Sequence, residues 1–435
     1  MGLELNNTVP FPERATQLYL ALMMTVFLLW TGPGGYAKIT FYKASAYVCL
    51  TGCYLAAMLF FAAKKRALVL EARKMTFLQW CVVGYWGASI FSTLFAVDRT
   101  RAFWGGPRAE GLLTISLYCG SFLLISEYAR PRKWMLGLFG AAMSVNCLAA
   151  LIQLGGYNPF GLYPAGMDYY DGLVRYGGQF LGTVGNVDLL SALLCIAVPA
   201  FWIGLLRLEG RGRFWLLIPI ALSIAVLFFS WVEGGVVSMM GSLILGLPVV
   251  LKDSKGRAGA AVGSAAVLIG ALTAVFFFGD GMEGFLFEAH ELLHGRMDES
   301  FGSGRIYIWS ETWKLVPERL LLGGGPETLG LRTQAAFERF DAALGVTLRS
   351  GVDTAHNEYL NILVNQGLLA LLCWLGALAG GAAGWVKQAG KSPVAAICGG
   401  GVLGYCIQAF FGISSPITTP FLWIVFGLLS NAIRE

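Results

Sequence analysis

Apolar runs long enough to cross a bilayer recur along nearly the whole chain. They restrict it to helices closed on their own hydrogen bonds, or to a closed barrel. A hydrocarbon core needs about 20 helical residues per crossing, whereas a barrel alternates apolar and polar residues in segments of about 10. Runs such as Trp215 to Trp231 are apolar on every face, which favours the helix. With 56% hydrophobic and 13% charged residues, the chain is no soluble domain. The pattern predicts an all-α, polytopic membrane helix bundle of about 12 transmembrane helices. They fall near residues 14–31, 44–62, 76–96, 110–128, 134–154, 186–206, 213–231, 235–251, 258–278, 358–384, 393–413 and 416–432.

One polar stretch, residues 279–356, interrupts the series. It divides the chain into an N-terminal transmembrane bundle over 1–278, a loop over 279–356 and a C-terminal transmembrane bundle over 357–435. Short amphipathic helices are expected in the loop near 284–295, 305–316 and 331–344, folded back over a lipid-accessible groove. Orientation follows from Lys and Arg near span ends, which stay cytoplasmic. Alternate loops hold Lys64, Lys65, Arg66, Arg73 and Lys74, then Arg130, Arg132 and Lys133, then Arg207, Arg211 and Arg213, then Lys252, Lys255 and Arg257, then Lys387 and Lys391. The opposite set holds Lys38, Lys43, Arg99, Arg101, Arg108 and Arg175. Both termini are therefore expected in the cytoplasm, with the large loop extracytoplasmic. Met1 to Arg14 is polar and mixed in charge, so the first apolar run is expected to be a span and not a cleaved signal.

The net charge of +5 follows from these basic loops, and no basic stripe interleaved with aromatics points to nucleic acid. All nine cysteines fall in expected spans, which argues for packing and against disulfides or a thiolate zinc site. Gly376, Gly380 and Gly384 form a ladder suited to close helix approach.

The chemistry-bearing residues gather in and beside the polar loop. One pattern is Gly304-Arg305 with Trp309, Pro317, Gly323-Gly324-Gly325 and Pro326-Glu327-Thr328, and the other is Asp353, His356-Asn357, Glu358, Tyr359-Leu360 and Gly367. Upstream stand Asp98-Arg99-Thr100-Arg101, an aromatic loop with Tyr169, Tyr170 and Arg175, and Gly182-Thr183-Val184-Gly185-Asn186. Tyr, Trp, Arg and Asn at a membrane surface suit sugar stacking and phosphate binding, or plain interfacial anchoring. His356 is one of three histidines and has Asp353 three residues away; a neutral imidazole is the simplest general base near neutral pH. If Asp353 or Thr354 caps the following helix, His356 lies in its first turn, where the dipole disfavours imidazolium. The rival reading makes His356 an interfacial residue bonded to a carbonyl, and Arg305 a salt bridge that positions the loop.

Taken together, these motifs resemble the signature region of the O-antigen ligase and polymerase superfamily, over about Asp98 to Gly367. The resemblance implies a glycosyltransferase of the cell envelope that moves a glycan from a polyprenyl diphosphate carrier to a glycan, lipid or protein acceptor hydroxyl. The transfer takes place at the outer face of the plasma membrane, with no cofactor and no metal at the reacting centre. Carried over residue by residue, it makes His356 the base, with Asp353 beside it. Substrate binding falls to Arg305, Arg175, Arg99, Arg101, Asn357, Tyr359, Trp309 and Asn186. The family commonly has an arginine where this chain reads Ser230-Trp231-Val232-Glu233-Gly234, and another where it has Gln179. Arg175, Arg99 and Arg101 are the candidates to supply the missing charge.

Two other classes fit parts of the pattern. His290-Glu291-Leu292-Leu293-His294 spells the zinc-protease motif, with a third ligand to be found among Asp298, Glu299 and Glu311. About 12 spans also suit a transporter, although transporters place ionisable groups at the midplane, where this chain has almost none.

Overall fold

A bare peptide group has no partner in hydrocarbon, so each apolar run closes its hydrogen bonds as a helix. The computed structural model describes residues 10–65, 70, 74–162, 181–230, 232–341 and 346–434, with the backbone alone of 169–171 and 174–176. Each of the expected runs is helical: α1 (Phe11–Leu22, continued by a π turn, Met23–Phe27), α2 (Ile39–Lys65), α3 (Phe77–Leu94), and, after the short α4 (Arg99–Trp104), α5 (Leu112–Tyr128) and α6 (Lys133–Leu154). A small hairpin, β1 (Tyr169–Asp171) with β2 (Val174–Tyr176), precedes α7 (Val187–Arg207), α8 (Leu217–Ser230), α9 (Glu233–Val250) and α10 (Ser254–Phe278). The loop carries α11 (Phe285–Leu293), α12 (Phe301–Leu315), α13 (Leu329–Arg332) and a hairpin of β3 (Ala336–Asp341) and β4 (Val346–Gly351). Then follow α14 (Glu358–Gln388), α15 (Pro393–Gln408) and α16 (Thr419–Ala432). Among the described residues, seven helices are long and apolar enough to cross a membrane, and α5, α15 and α16 are shorter apolar helices. The protein is a polytopic all-α membrane bundle.

Every residue of α16 is buried, which makes it the axis of the bundle. Trp423 on α16 stacks on Tyr118 of α5 at 5.8 Å and tilts onto Trp374 of α14 at 5.1 Å. The glycine ladder lets α14 lie along α3: a Cβ at Gly376 would stand 2.9 Å from Cys81 Sγ, and one at Gly380 3.1 Å from the Phe77 ring. All nine cysteines are free thiols.

Two polar devices pin the α1, α2 and α6 corner. The π turn leaves the carbonyls of Phe27 and Leu28 to the ammonium of Lys43, which donates to them at 3.1 and 2.9 Å. Lys43 is therefore a buried residue within α2, not the loop residue the charge count took it for. The Gly182 to Asn186 turn is fixed by side chains from α6: Asn146 Oδ1 accepts from Thr183 N at 2.8 Å, and Gln153 Oε1 from Leu181 N and Gly182 N.

The loop is tied to α14 by a backbone splice. Gly367 (φ 86°, ψ 176°) breaks the helix, which frees the rungs on either side of it. The carbonyls of Val364 and Asn365 accept from Gly324 N (3.1 Å) and Gly325 N (2.7 Å), while Leu368 N donates to the Leu320 carbonyl at 2.8 Å. A side chain at Gly367 or Gly323 would run into the partner's backbone.

The third short helix expected over 331–344 is not formed. The helix α13 ends at Arg332, Thr333 turns extended, and β3 pairs antiparallel with β4 in the register Phe337 to Ser350 and Glu338 to Arg349. The alanines of this stretch favour a helix locally, but Phe337 gains more by packing edge-on against Tyr307 of α12 at 5.5 Å. Ile308, Ala335 and Val352 form the small core beneath it.

Replacing Gly367 with Ala forces a non-glycine residue into a region essentially reserved for glycine, at a cost of about 1–3 kcal/mol before the collision is counted. The thermal unfolding midpoint of the detergent-purified variant is expected to fall, and an unchanged midpoint would show that the splice does not hold the loop.

Candidate active site at the loop end of the bundle

The Gly-Gly-Gly-Pro-Glu run places one carboxylate where it organises the site. Held by the splice, Glu327 adopts a positive φ of 54° and is buried. Its carboxylate accepts from Arg108 N and Glu110 N, both at 2.7 Å, and its carbonyl accepts from Arg101 Nε at 2.9 Å. The segment between α3 and α5 is thereby fastened to the loop. Arg108, fixed at its own backbone, reaches Asp353 with Nη2 at 3.0 Å, while its Nε is buried without a hydrogen-bond partner.

His356 stands next to this pair. Its φ of 47° is unusual for a side-chain-bearing residue and of the kind found where a site over-determines the backbone. The helix α14 is capped by Asn357, whose Oδ1 accepts from Leu360 N at 3.0 Å. The expectation that Asp353 or Thr354 caps it is thus corrected: Asn357 is the last residue able to bond the third helical N–H, so His356 precedes the cap instead of lying in the first turn. The imidazole is half-buried, and among the described residues it makes no hydrogen bond. Burial first, then the charges of Arg108 and Arg305, push its pKa down to about 4, against the opposing pull of Asp353. The ring is neutral at pH 7, with its lone pair free.

Two cavities flank this point. A polar well is lined by Arg108, Glu110, Glu327, Asp353, Glu358 and Asn365 and floored by Tyr85, Trp374 and Trp423. Within it Tyr118 donates to Glu110 Oε1 at 2.7 Å and Tyr405 to Glu358 Oε1 at 2.6 Å. The second cavity, about 720 Å³, is a groove with apolar walls from Val187, Val237, Phe285, Leu292 and Phe411, closed by Arg305 and Trp309. Arg305 follows three residues with positive φ, Gly302 to Gly304, which swing its guanidinium back to donate to the Phe411 carbonyl (3.1 Å) and the Gly302 carbonyl (2.8 Å). Among the described residues it meets no carboxylate at salt-bridge distance, so the salt-bridge alternative has no partner here.

The other sequence candidates divide. Trp309 lines the groove with its indole N–H buried and unbonded. Tyr359 donates its hydroxyl to the Cys406 carbonyl at 2.8 Å, and Asn186 caps α7 through Leu189 N at 3.0 Å. Arg99 is exposed at the start of α4. The side chain of Arg175 lies outside the described residues. Arg108 was not singled out in the sequence, though it sits in the same short segment as Arg99 and Arg101, just after a Gly-Gly-Pro turn. Glu233, where the family arginine is missing, faces the groove and accepts from Phe285 N at 3.3 Å.

The His-Glu-x-x-His run does not assemble as a protease site. Glu291, which would serve as the base, is clamped by Arg296 at 2.7 and 2.5 Å. Of the third ligands weighed, Asp298 is turned onto Ser300 and Glu311 onto Lys314.

Fold and site together define a polytopic membrane protein whose reactive groups are gathered where one loop meets the bundle. Residues 218–375 match the family model described as O-antigen ligase, so this part of the chain is similar to that family. The matched stretch runs from α8 into α14 and includes the groove wall, Arg305, Glu327 and His356. No curated protein matches the chain.

Because the folded state depresses the pKa of His356, its ring is expected to stay neutral on acidification through pH 6 and to protonate near pH 4. Replacing Arg108 with Gln removes a repelling cation and frees Asp353, so the pKa should rise. Titration of ¹⁵N-histidine resonances checks both; a wild-type midpoint at or above 6.5 would contradict the electrostatic picture.

Proposed function

We propose that this protein is a glycan ligase or polymerase that transfers a glycan from a polyprenyl diphosphate carrier to an acceptor hydroxyl at the outer face of the plasma membrane. Both termini are then cytoplasmic, the loop end is extracytoplasmic, and residues 1–278 and 357–435 form the bundles on either side of the loop. The observation that carries the reading is the neutral, unbonded imidazole of His356 within the field of two guanidiniums, Arg108 at the polar well and Arg305 at the apolar groove.

The groove suits a prenyl chain entering from lipid, with its diphosphate stopped at Arg305. The acceptor hydroxyl gives its proton to His356 as its oxygen bonds the anomeric carbon. The bond from that carbon to the diphosphate oxygen breaks, and the electron pair leaves with the diphosphate, whose added charge Arg305 and Arg108 meet with fixed donors. Asp353 holds Arg108 and offsets the imidazolium formed. Arg108 thus supplies the cation that Glu233 cannot, with Arg175 and Arg101 as further contributors. A single displacement inverts the anomeric centre.

Replacing His356 with Ala should slow transfer by roughly 10²- to 10⁴-fold, and replacing Arg305 or Arg108 with Ala should abolish it, at unchanged protein level. Purified protein with carrier-linked glycan gives the rates, and the surface glycan of a deletion strain complemented with each variant gives the phenotype. An active His356→Ala protein would sink the reading.

A further inference from the structure

The histidine-rich helix above the groove has a geometry that neither the protease motif nor glycan transfer accounts for. His290 is buried, and its Nδ1 lies 2.9 Å from the carbonyl of Val275 on α10. A carbonyl only accepts, so Nδ1 carries the proton and Nε2 keeps its lone pair. That orientation by a backbone carbonyl is the usual support of a metal-binding histidine. His294, one turn on, has the same arrangement, with Nδ1 at 2.8 Å from the His290 carbonyl and its ring stacked on Phe276. A donor atom each from Asp280, His290 and Glu291 lie within 4.8 Å of one another, with His290 Nε2 at 4.0 Å from Glu291 Oε1. A divalent ion with bonds of about 2.0–2.2 Å would draw these atoms together by a small shift.

The site already attracts a cation. Arg296 lays its guanidinium along both oxygens of Glu291 and lies within the field of Asp280. An arginine on the exposed side is a displaceable partner. We propose that Asp280, His290 and Glu291 bind a first-row divalent ion, zinc by the mix of imidazole and carboxylate donors, with Arg296 as the competing cation. Glu291 is here a ligand and not a base, and Asp280 replaces the third ligands sought at Asp298, Glu299 and Glu311. The ion would cross-link the end of α10 to α11, whose opposite face, Phe285, Glu288, Ala289 and Leu292, roofs the groove. Its role is to hold that roof, apart from the reacting centre at His356.

The test uses the full-length protein in detergent, stripped with chelator and titrated with ZnCl₂ alone. One saturable zinc per chain is expected, lost in His290→Ala, weakened about 10- to 100-fold in Asp280→Asn and tightened in Arg296→Ala. Asp280 is exposed, so its variant reads the site even if His290→Ala misfolds. Absence of saturable binding, binding indifferent to Asp280→Asn, or weaker binding in Arg296→Ala would each overturn the proposal. Zinc content is read without any transfer assay, so failure here leaves the glycan reading standing, and an inactive protein with intact zinc binding leaves this site standing.

Discussion

The structure depends on one constraint, that no backbone N–H or C=O is left unbonded inside the membrane. Gly367 violates the helix that would satisfy it, and residues 320–325 supply the missing partners. Everything at the site follows from this exchange. The segment that completes α14 ends in Pro326 and Glu327, so the Glu327 carboxylate is delivered, at a fixed depth, to the two backbone N–H groups of Arg108 and Glu110. Breaking one helix thus positions a cation two elements away. A continuous α14 would remove these three backbone bonds between the loop and the bundle.

The electrostatics have the same economy. Burial first, and then the fields of two guanidiniums, make this imidazole a poor proton acceptor in its resting state. That penalty falls once a diphosphate neutralises the arginines, because the ring then loses its repelling neighbours and gains an anionic one. Basicity would rise when the donor is bound. On the proposed reading, such coupling would keep the base free at rest and make it effective in the loaded site, with Asp353 limiting the swing by its bond to Arg108.

The helices were legible because a bilayer leaves the chain few options: the apolar runs and the helices coincide along the whole bundle, and the Gly376 ladder faces α3 as its spacing implies. His356 and Arg305 were legible as types of residue in a motif. Less could be read where tertiary pairing decides. The β3–β4 hairpin forms because Phe337 finds Tyr307, a partner remote in sequence, and Asn357 takes the cap because only the fold fixes where α14 begins. Arg108 was hidden for a related reason. An arginine beside Arg99 and Arg101 reads as one more surface charge until Glu327 is known to hold its backbone. The spelling His-Glu-x-x-His says less than its surroundings, since Arg296, which holds Glu291, lies outside it.

On the proposed reading, the two cavities divide the site between donor and acceptor. A prenyl chain needs an apolar wall open to lipid, and an acceptor needs water and hydroxyl partners; one cavity cannot offer both without leaving polar groups unbonded in an apolar wall. Here the groove and the well are separate, and the residues between them are the ones able to act on both occupants: Arg305 faces the groove, Arg108 and Asp353 face the well, and His356 lies within the field of all three. The polar groups of the well are mutually bonded through Tyr118 and Tyr405, so the deep part holds its shape without an occupant. The groove is bonded too, by Arg305 to the Phe411 and Gly302 carbonyls and by Gly302 N to Glu288 Oε2. Its walls come from α7, α9, α11 and α12, so the two cavities differ in polarity. On the proposed reading, the apolar groove takes the lipid tail, and the polar well lies beside the hydroxyl that must be aimed.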